Sequence, residues 1–387
     1  MLHNYPKLYQ DPHIELPSLS LDFTDYITQC KKIVANTRQD LDQNAEKIID
    51  INSPFELRPS HYSPDKKTPV GALLIHGLLD SPFIMKDIGT SLQSQGILIR
   101  SILLPGHGTV PGALLNTSYT QWLQAAREGI ESLAKDVEQV FIVGYSTGAI
   151  AAIHQILQYD IPVAGVIAIA PALQINTKFA RFTNLPDLMS GFWPRAAWMG
   201  LSEEIDYAKY SSIPYNAAYQ VYSLARAVEK IHLSKKLTCP LFFISSSDDK
   251  IISNIANISF FEDNTNPENR MLDYSSQPYN QTDKRVIVRN SVYAEQNITE
   301  MSHIALPVSP NNPHYGKNGD FINASHVDTG KQFIYCDLNK PLSIYYNLLY
   351  QLNIEKKQRK RLSFNPDFDF MMQQMADFIF LKKTNHQ

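Results

Sequence analysis

The stretch that decides the fold is Val140-Phe141-Ile142-Val143-Gly144-Tyr145-Ser146-Thr147-Gly148-Ala149-Ile150-Ala151-Ala152. Four apolar residues run directly into G-Y-S-T-G, and a small-residue stretch that favours a helix follows at once. This order predicts a buried strand, a sharp turn and a helix, with Ser146 at the tip of the turn. The two glycines fit such a turn, because a Cβ there would clash where backbone segments come close. Ser146 is therefore a candidate nucleophile; the plainer alternative is a strand-to-helix turn that happens to contain a serine.

Composition excludes several classes of protein. The chain has 387 residues, of which 44% are hydrophobic and 19% charged, so it can bury a large core as one α/β domain with insertions. The formal net charge is −3 and no long basic run occurs, so we predict no nucleic-acid partner. One basic cluster is more typical of a solvated helix face, although it also suits peripheral contact with an anionic membrane: Lys356, Lys357, Arg359, Lys360 and Arg361.

The cysteines and the lengths of the apolar runs bear on the cellular compartment of the protein. Cys30, Cys239 and Cys336 are odd in number and widely spaced, which is neither a disulfide framework nor a metal pattern. They fit a reducing compartment. The first residues lack a charged-then-apolar signal sequence, and no apolar run approaches the ~18 residues of a spanning helix. We therefore predict a cytoplasmic protein without a spanning segment; the sequence carries no signal for its oligomeric state.

Strands alternate with helices on both sides of the Ser146 turn. This alternation is typical of a doubly wound, mostly parallel sheet covered on both faces. The predicted elements are a strand from Val70 that ends in His76-Gly77, a helix over about 82–95, a strand over 97–104, a helix over 118–135, the strand before Ser146, and a strand over 163–171.

Three parts of the chain are predicted from these patterns. Residues 1–69 form an N-terminal arm and a helix, over about 21–51, that packs on the core. The core itself comprises 70–171 and 238–387. Residues 172–237 break the rhythm and form an inserted helical cap, rich in aromatic residues: Phe179, Phe182, Phe192, Trp193 and Trp198. These aromatic side chains either line an apolar channel for an acyl chain or belong to an ordinary packed insertion.

The core resumes after the cap. A strand from Cys239 ends in Asp248 and Asp249, and a helix follows over about 253–261. Residues 262–284 then form a polar insertion, and Arg285–Arg289 is a candidate last strand. Residues 307–340 are loop-like, and the chain closes with an amphipathic helix over about 366–381.

A serine nucleophile needs a neutral imidazole as base and an acid that orients the imidazole. Loops at the carboxyl ends of parallel strands meet in one crevice, so both groups should follow strands. The acid is Asp249, because Lys250 and two aliphatic residues let the chain re-enter the core just after it; Asp248 stays an alternative.

The base is predicted to be His303, which follows the candidate last strand and precedes an apolar Ile-Ala-Leu segment. His314 and His326, in the later loop, are its rivals. The structure can decide between the three by their distances to Ser146.

The oxyanion of an acyl-transfer reaction needs two preorganised N–H donors. We predict the backbone N–H of Thr147, at the positive end of its helix, and that of Leu78, in the loop after His76-Gly77. His76 and His107 should shape the loops beside the site. Residues that could line the substrate site are His76, Tyr145, Phe192, Trp193 and Trp198.

Together, five motifs resemble the α/β-hydrolases of the monoacylglycerol lipase, lysophospholipase and carboxylesterase group, often described as serine-aminopeptidase-like hydrolases. They are Leu74-Ile75-His76-Gly77-Leu78-Leu79-Asp80-Ser81, Leu104-Pro105-Gly106-His107-Gly108-Thr109, Gly144-Tyr145-Ser146-Thr147-Gly148, Ser247-Asp248-Asp249-Lys250-Ile251-Ile252 and Ser302-His303. The resemblance covers about residues 70–305. It implies the α/β-hydrolase fold, a catalytic triad of serine, histidine and aspartate, and an esterase-type reaction. The long interval between Asp249 and His303, the loop after His303 and the N-terminal helix are additions to the family pattern.

The predicted function is hydrolysis of a small-molecule carboxylic ester, one with an acyl chain, by a serine hydrolase. An amide or peptide hydrolase on the same residues is the first alternative; it needs a carboxylate for the substrate amine, for which Glu203, Glu204 and Asp206 are candidates. A non-catalytic binding protein of the same fold is the second. No metal and no cofactor is predicted, because the histidines lack ligand spacing and no phosphate-binding or dinucleotide glycine pattern occurs.

Overall fold

An eight-stranded sheet forms the centre of the protein in a computed structural model that describes residues 7–42, 44–159, 161–176, 194–321, 332–336 and 357–380. In chain order the strands are β1 (Phe55–Leu57), β2 (Thr68–Ile75), β3 (Leu98–Ile102), β4 (Val137–Tyr145), β5 (Gly165–Ile169), β6 (Trp198–Gly200), β7 (Ile213–Pro214), β8 (Leu241–Ser246), β9 (Arg270–Ser275), β10 (Val286–Asn290), β11 (Gln332–Cys336) and β12 (Lys357–Arg361). The sheet order is β1-β3-β2-β4-β5-β8-β9-β10, while β6 pairs with β7 and β11 with β12.

All pairings within the large sheet are parallel except that of the edge strand β1, which runs antiparallel to β3. The mostly parallel, doubly wound sheet predicted from the sequence is therefore confirmed. Its central strands are buried along nearly their whole length, which explains why they read as continuous apolar runs rather than as alternating patterns.

Helices flank this sheet. They are α1 (Phe23–Thr37), α2 (Ala45–Ile51), α3 (Lys86–Ser94), α4 (Tyr119–Ala134), α5 (Thr147–Tyr159), α6 (Tyr215–His232), α7 (Asn254–Asp263) and α8 (Phe368–Phe380). Phe378 of α8 packs against Phe141 of β4 and Phe242 of β8, with ring centroids 6.3 and 5.5 Å away. In the described ranges, no helix is long and apolar enough to cross a membrane.

The N-terminal helix is shorter than predicted. The single helix expected over about 21–51 is two helices, α1 and α2, because the backbone of Arg38 turns to an extended conformation. The Arg38 side chain donates to the carboxylate of Asp40 two residues later, a contact within the segment that joins the two helices. At the start of α1, the carboxylate of Asp22 accepts the N–H of Thr24 at 2.8 Å, as expected of an N-cap.

Strand β9 was not predicted. Residues 262–284 read as a polar insertion, yet Arg270–Ser275 within them forms a strand between β8 and β10. Its polar Asp273 is fully buried and accepts hydrogen bonds from Ser247, Tyr279 and Asn254, which offset the cost of burial. The apolar signal of this strand is therefore interrupted by a residue whose partners come from elsewhere in the chain.

The predicted cap is only partly placed, because residues 177–193 lie outside the described part of the chain. Phe179 and Phe182 fall in that range. The helix α6 lies near the end of the predicted cap segment and packs against α4 and α5. Its buried apolar side chains are Ala217, Val221, Leu224, Ala225 and Val228.

Candidate active site

Ser146 lies at the turn between β4 and α5 in a strained backbone conformation, with a φ of +52°. Its N–H donates to the carbonyl oxygen of Ile169 at 2.8 Å, which ties the turn to the end of β5. A Cβ on Gly144 would lie 2.5 Å from the Cα of Ala149, and one on Gly148 would lie 2.2 Å from the carbonyl oxygen of Ile75. Only glycine fits at these two positions, so the motif G-Y-S-T-G specifies the strained turn that exposes a serine hydroxyl.

The structure brings His303 to Ser146. His303 begins a single turn of 3-10 helix, and its Nε2 lies 3.1 Å from Ser146 Oγ. On the other side of the ring, Nδ1 lies 2.6 Å from Oδ2 of Asp249. A carboxylate can only accept, so Nδ1 carries the hydrogen and the lone pair of Nε2 faces the serine hydroxyl. The imidazole thus holds the tautomer that a general base requires.

Asp249 follows β8, and its two carboxylate oxygens have different partners. Oδ1 accepts the N–H groups of Ile251 and Ile252 at 2.7 and 3.1 Å, and Oδ2 is left for His303. Ile252 is buried, in line with the idea that the chain re-enters the core just after the acid. The side chain of Asp249 is only 1% exposed, so its contact with His303 is shielded from water.

Asp248, the alternative acid, has other partners. Its carboxylate accepts hydrogen bonds from Ser276, Ser291 and the backbone of Met301. The structure therefore brings Asp249 to the imidazole of His303, whereas Asp248 binds the segments that contain Ser276, Ser291 and Met301.

His314, a rival base, lies in a separate buried cluster. Its Nε2 donates to Oδ1 of Asp206 at 2.9 Å, and the hydroxyl of Tyr315 donates to Oδ2 of the same carboxylate at 2.8 Å. Sequence reasoning had considered His314 and Asp206 separately and did not pair them. His326, the other rival, lies outside the described residues.

The predicted oxyanion donors follow two strands that pair in parallel, β2 and β4. Thr147 is the first residue of α5, where a helix N–H has no partner within its own helix. Leu78 follows β2 in a loop whose next residue, Leu79, has a φ of +68°. The carbonyl oxygen of Leu79 accepts the N–H of Tyr210 at 2.8 Å, so this loop is held by a residue of the predicted cap segment.

His76 lies beneath that loop. It is fully buried, its Nδ1 donates to the carbonyl oxygen of Gly77 at 2.9 Å, and its Nε2 accepts the N–H of Leu104 at 3.1 Å. Burial, together with the nearby His107, lowers the pKa of His76 well below its usual value. His76 is therefore a neutral brace between two strand ends, and its burial keeps it from lining an open substrate site.

The other candidate lining residues have diverse positions. The buried ring of Tyr145 lies 5.4 Å from that of His303, and its hydroxyl donates to the carbonyl oxygen of His303 at 3.3 Å. Trp198 is 6% exposed and packs edge-on against Tyr9 of the N-terminal arm. Phe192 and Trp193 lie outside the described residues.

Asp80 is a charged group near the site that sequence reasoning did not single out. It follows the Leu78-Leu79 loop, is 6% exposed, and has Lys209 Nζ 3.8 Å from its Oδ1. Burial raises the pKa of Asp80, and the positive charge of Lys209 lowers it in part. The signal was present in the sequence as a lone acid in an apolar loop, His76-Gly77-Leu78-Leu79-Asp80.

Chemically, the arrangement places a serine hydroxyl, an imidazole and a buried carboxylate in a row, each in contact with the next. Across the described ranges, no three His, Cys, Asp or Glu side chains are grouped so that they could hold a metal ion. The contacts of Ser146 with His303 and of His303 with Asp249 suit covalent catalysis by a serine hydroxyl.

Comparison with known proteins gives a family match and distant relatives. The family model described as "Serine aminopeptidase, S33" matches residues 69–276, just over half of the chain. A thermostable monoacylglycerol lipase of Bacillus sp. (strain H-257) is 24% identical over 196 residues, which are 50% of this chain and 76% of that protein. A carboxylesterase of Bacillus subtilis (strain 168) is 24% identical over 107 residues, 27% of this chain and 43% of that protein. Among solved structures, a monoacylglycerol lipase of Paleococcus ferrophilus is 19% identical with a TM-score of 0.45, covering 57% of this chain and 88% of its own.

Proposed function

Because the chain belongs to the serine aminopeptidase S33 family, we propose that it is a serine hydrolase that cleaves carboxylic esters through an acyl-enzyme on Ser146. The observation that carries this proposal is the row of contacts from Ser146 Oγ to His303 Nε2, at 3.1 Å, and from His303 Nδ1 to Asp249 Oδ2, at 2.6 Å. The two Bacillus relatives are, by their own names, a monoacylglycerol lipase and a carboxylesterase, which are enzymes that act on esters.

In the first half of the reaction, Ser146 Oγ attacks the ester carbonyl while His303 Nε2 takes its proton. The carbonyl π electrons move to oxygen, and the resulting oxyanion accepts hydrogen bonds from the N–H groups of Thr147 and Leu78. Asp249 keeps the proton on Nδ1 and stabilises the imidazolium. His303 then protonates the departing alcohol as the tetrahedral intermediate collapses to the acyl-enzyme.

In the second half, a water molecule replaces the alcohol. His303 takes a proton from that water, the water oxygen attacks the acyl carbonyl, and a second oxyanion forms in the same place. Collapse of this intermediate breaks the bond to Ser146 Oγ, which recovers its proton from His303. The carboxylic acid leaves and the enzyme returns to its starting state without any added cofactor.

An ester substrate is favoured over a peptide by the state of the candidate amine-binding carboxylates. Glu204 accepts the N–H groups of Ser211 and Ser212 at 2.7 and 2.9 Å, so its two oxygens cap a turn. Asp206 is engaged by His314 and Tyr315. A substrate amine at either of these carboxylates would break an existing arrangement, and Glu203, the third candidate, is exposed, whereas an ester needs none of the three.

We propose a substrate with an acyl chain, of the monoacylglycerol or lysophospholipid kind, which the protein would meet by peripheral contact with a membrane. We further propose that it works in the cytoplasm, in keeping with Cys30, which is a buried free thiol.

A substrate panel tests this proposal. Wild-type protein and Ser146→Ala are assayed on p-nitrophenyl esters from acetate to long acyl chains and on amino-acid p-nitroanilides. We expect turnover of the esters, with a preference for chains longer than acetate, and none by the variant. Turnover of anilides in preference to esters would replace the proposal by the peptidase alternative. Equal ester turnover by Ser146→Ala would overturn the role of Ser146.

A further inference from the structure

Met301, two residues before His303, has both of its backbone polar groups held by side chains at the end of β8. Its N–H donates to Oδ2 of Asp248 at 3.2 Å, and its carbonyl oxygen accepts the hydroxyl of Ser246 at 3.0 Å. Ser246 Oγ also accepts the N–H of Asp248 at 3.1 Å, which joins the two holding groups to each other. Met301 is fully buried, so no water competes for these bonds.

The carboxylate of Asp248 joins three segments of chain. Oδ1 accepts the N–H and the hydroxyl of Ser276 at 3.1 and 2.5 Å, just after β9. Oδ2 accepts the hydroxyl of Ser291 at 2.5 Å, just after β10, in addition to the N–H of Met301. Hydrogen bonds to a charged acceptor are shorter and stronger than neutral ones, so this carboxylate fixes the three segments relative to β8.

His303 needs such support because it does not belong to a strand or a long helix. It starts a three-residue 3-10 turn, where few backbone hydrogen bonds hold it in place. The neighbouring Ser302 donates its hydroxyl to the carbonyl oxygen of Leu362, and Tyr145 donates to that of His303 itself. The first contact joins Ser302 to a backbone carbonyl remote in sequence, and the second, like those to Met301, comes from a remote side chain. The imidazole is therefore placed by a set of individual bonds.

We propose that Asp248, together with Ser246, is a positioning residue that sets the distance between His303 and Ser146. The proposal rests on the proposed function, in which His303 is the general base. Its physical basis is that catalysis by a base is sensitive to placement: an error of about 1 Å costs on the order of 100-fold in rate. Asp248 touches neither Ser146 nor His303 directly and acts through the peptide of Met301.

Asp248→Ala tests the proposal, with Asp273→Ala as its matched control. Asp273 is a carboxylate beside β8 that likewise accepts several hydrogen bonds, from Ser247, Tyr279 and Asn254. None of these three donors belongs to the segment that carries His303. Asp248 is half-buried and Asp273 is fully buried, and each carboxylate accepts several hydrogen bonds. Both variants are therefore expected to lower the Tm, whereas only the first loosens His303.

The readouts are kcat, KM and the rate constant for phosphonylation of Ser146 by a fluorophosphonate, all measured well below each variant's Tm. We expect Asp248→Ala to lower kcat and the phosphonylation rate by about 100-fold with KM within about twofold. Asp273→Ala should stay within about threefold of wild type in kcat. Equal rates for the two variants would overturn the proposal. If wild-type protein is not phosphonylated at all, the proposed function fails instead, so the two failures are distinguishable.

Two milder variants decide the matter if Asp248→Ala does not fold. Each oxygen of Asp248 faces a backbone N–H, Oδ1 that of Ser276 and Oδ2 that of Met301, so an asparagine can accept only one of the two. We therefore expect Asp248→Asn to lower kcat, but by less than the roughly 100-fold expected of Asp248→Ala. Ser246→Ala removes only the hydroxyl that binds the carbonyl oxygen of Met301, and we expect kcat to fall about tenfold with KM unchanged. A wild-type kcat in Ser246→Ala, or in an Asp248→Asn variant with a native circular dichroism spectrum, would overturn the positioning role.

Discussion

Replacing Asp249 by asparagine should move the hydrogen of the His303 imidazole from Nδ1 to Nε2. Oδ1 of Asp249 faces the N–H groups of Ile251 and Ile252, at 2.7 and 3.1 Å, and these groups can only donate. An asparagine must therefore keep its carbonyl oxygen on that side, and its NH₂ group must face His303 Nδ1. That group donates, so Nδ1 becomes the acceptor and the hydrogen moves to Nε2, where it faces Ser146.

The expected cost follows from this change of tautomer. An imidazole with hydrogen on Nε2 cannot take the proton of Ser146, and a change of this kind in a serine hydrolase costs about 10⁴ in kcat. This corresponds to about 5 kcal/mol of transition-state stabilisation. Asparagine matches aspartate in shape, so the Tm should change little and the loss should appear in kcat rather than in KM.

The assay is hydrolysis of a p-nitrophenyl ester at neutral pH, with kcat and KM for wild type, Asp249→Asn and the control Asp273→Asn. Asp273 is buried beside the same strand but bonds to Ser247, Tyr279 and Asn254. We expect the control to stay within about threefold of wild-type kcat. An Asp249→Asn variant that retains more than about a tenth of wild-type kcat would refute the tautomer reasoning, since about 10⁴ is expected.

Three further predictions concern the turn at Ser146 and its surroundings. Gly148→Ala would place a Cβ 2.2 Å from the carbonyl oxygen of Ile75, so we expect at least about 3 kcal/mol of destabilisation, measured by urea unfolding, and loss of activity; a stable, active variant would contradict this packing. Replacing Thr147 by its α-hydroxy acid analogue exchanges the backbone N–H for an oxygen and should lower kcat about 100- to 1000-fold at nearly constant KM; an unchanged kcat would remove this N–H from the oxyanion hole. Burial lowers the pKa of His107 from 6.5 to about 4, so between these values the unfolded chain binds a proton that the fold excludes, and stability falls as the pH drops. The free energy of unfolding should decrease by about 3 kcal/mol from this residue alone across that window, and His107→Asn should flatten the pH dependence by that amount; parallel curves for the two proteins would show that His107 titrates normally.

The parts that could be predicted from sequence are those specified by local pattern. The strand before Ser146 is an unbroken apolar run, and its turn needs glycine at both Gly144 and Gly148 for steric reasons that hold in any context. The loop after His76-Gly77 and the short polar step from Asp249 back into the core are equally local. Such features need no knowledge of what lies opposite them.

The parts that could not be predicted depend on contacts between distant residues. Asp249 and His303 are 54 residues apart, so no local pattern distinguishes Asp249 from Asp248 or His303 from His314 with certainty. His314 is occupied by Asp206, 108 residues away, a pairing that only the fold reveals. Strand β9 was missed for the same reason: the polar residue that interrupts it is satisfied by side chains from other segments.

Mass spectrometry of the peptide that carries Ser146, after reaction with a fluorophosphonate, would identify the nucleophile. Ser146 Oγ lies 3.1 Å from His303 Nε2, so we predict a single phosphonyl adduct on Ser146, with no adduct in Ser146→Ala and a much slower reaction in His303→Ala. An adduct on another residue, or no reaction under conditions in which a known esterase is fully labelled, would contradict the assignment of Ser146 as the nucleophile of an ester hydrolase.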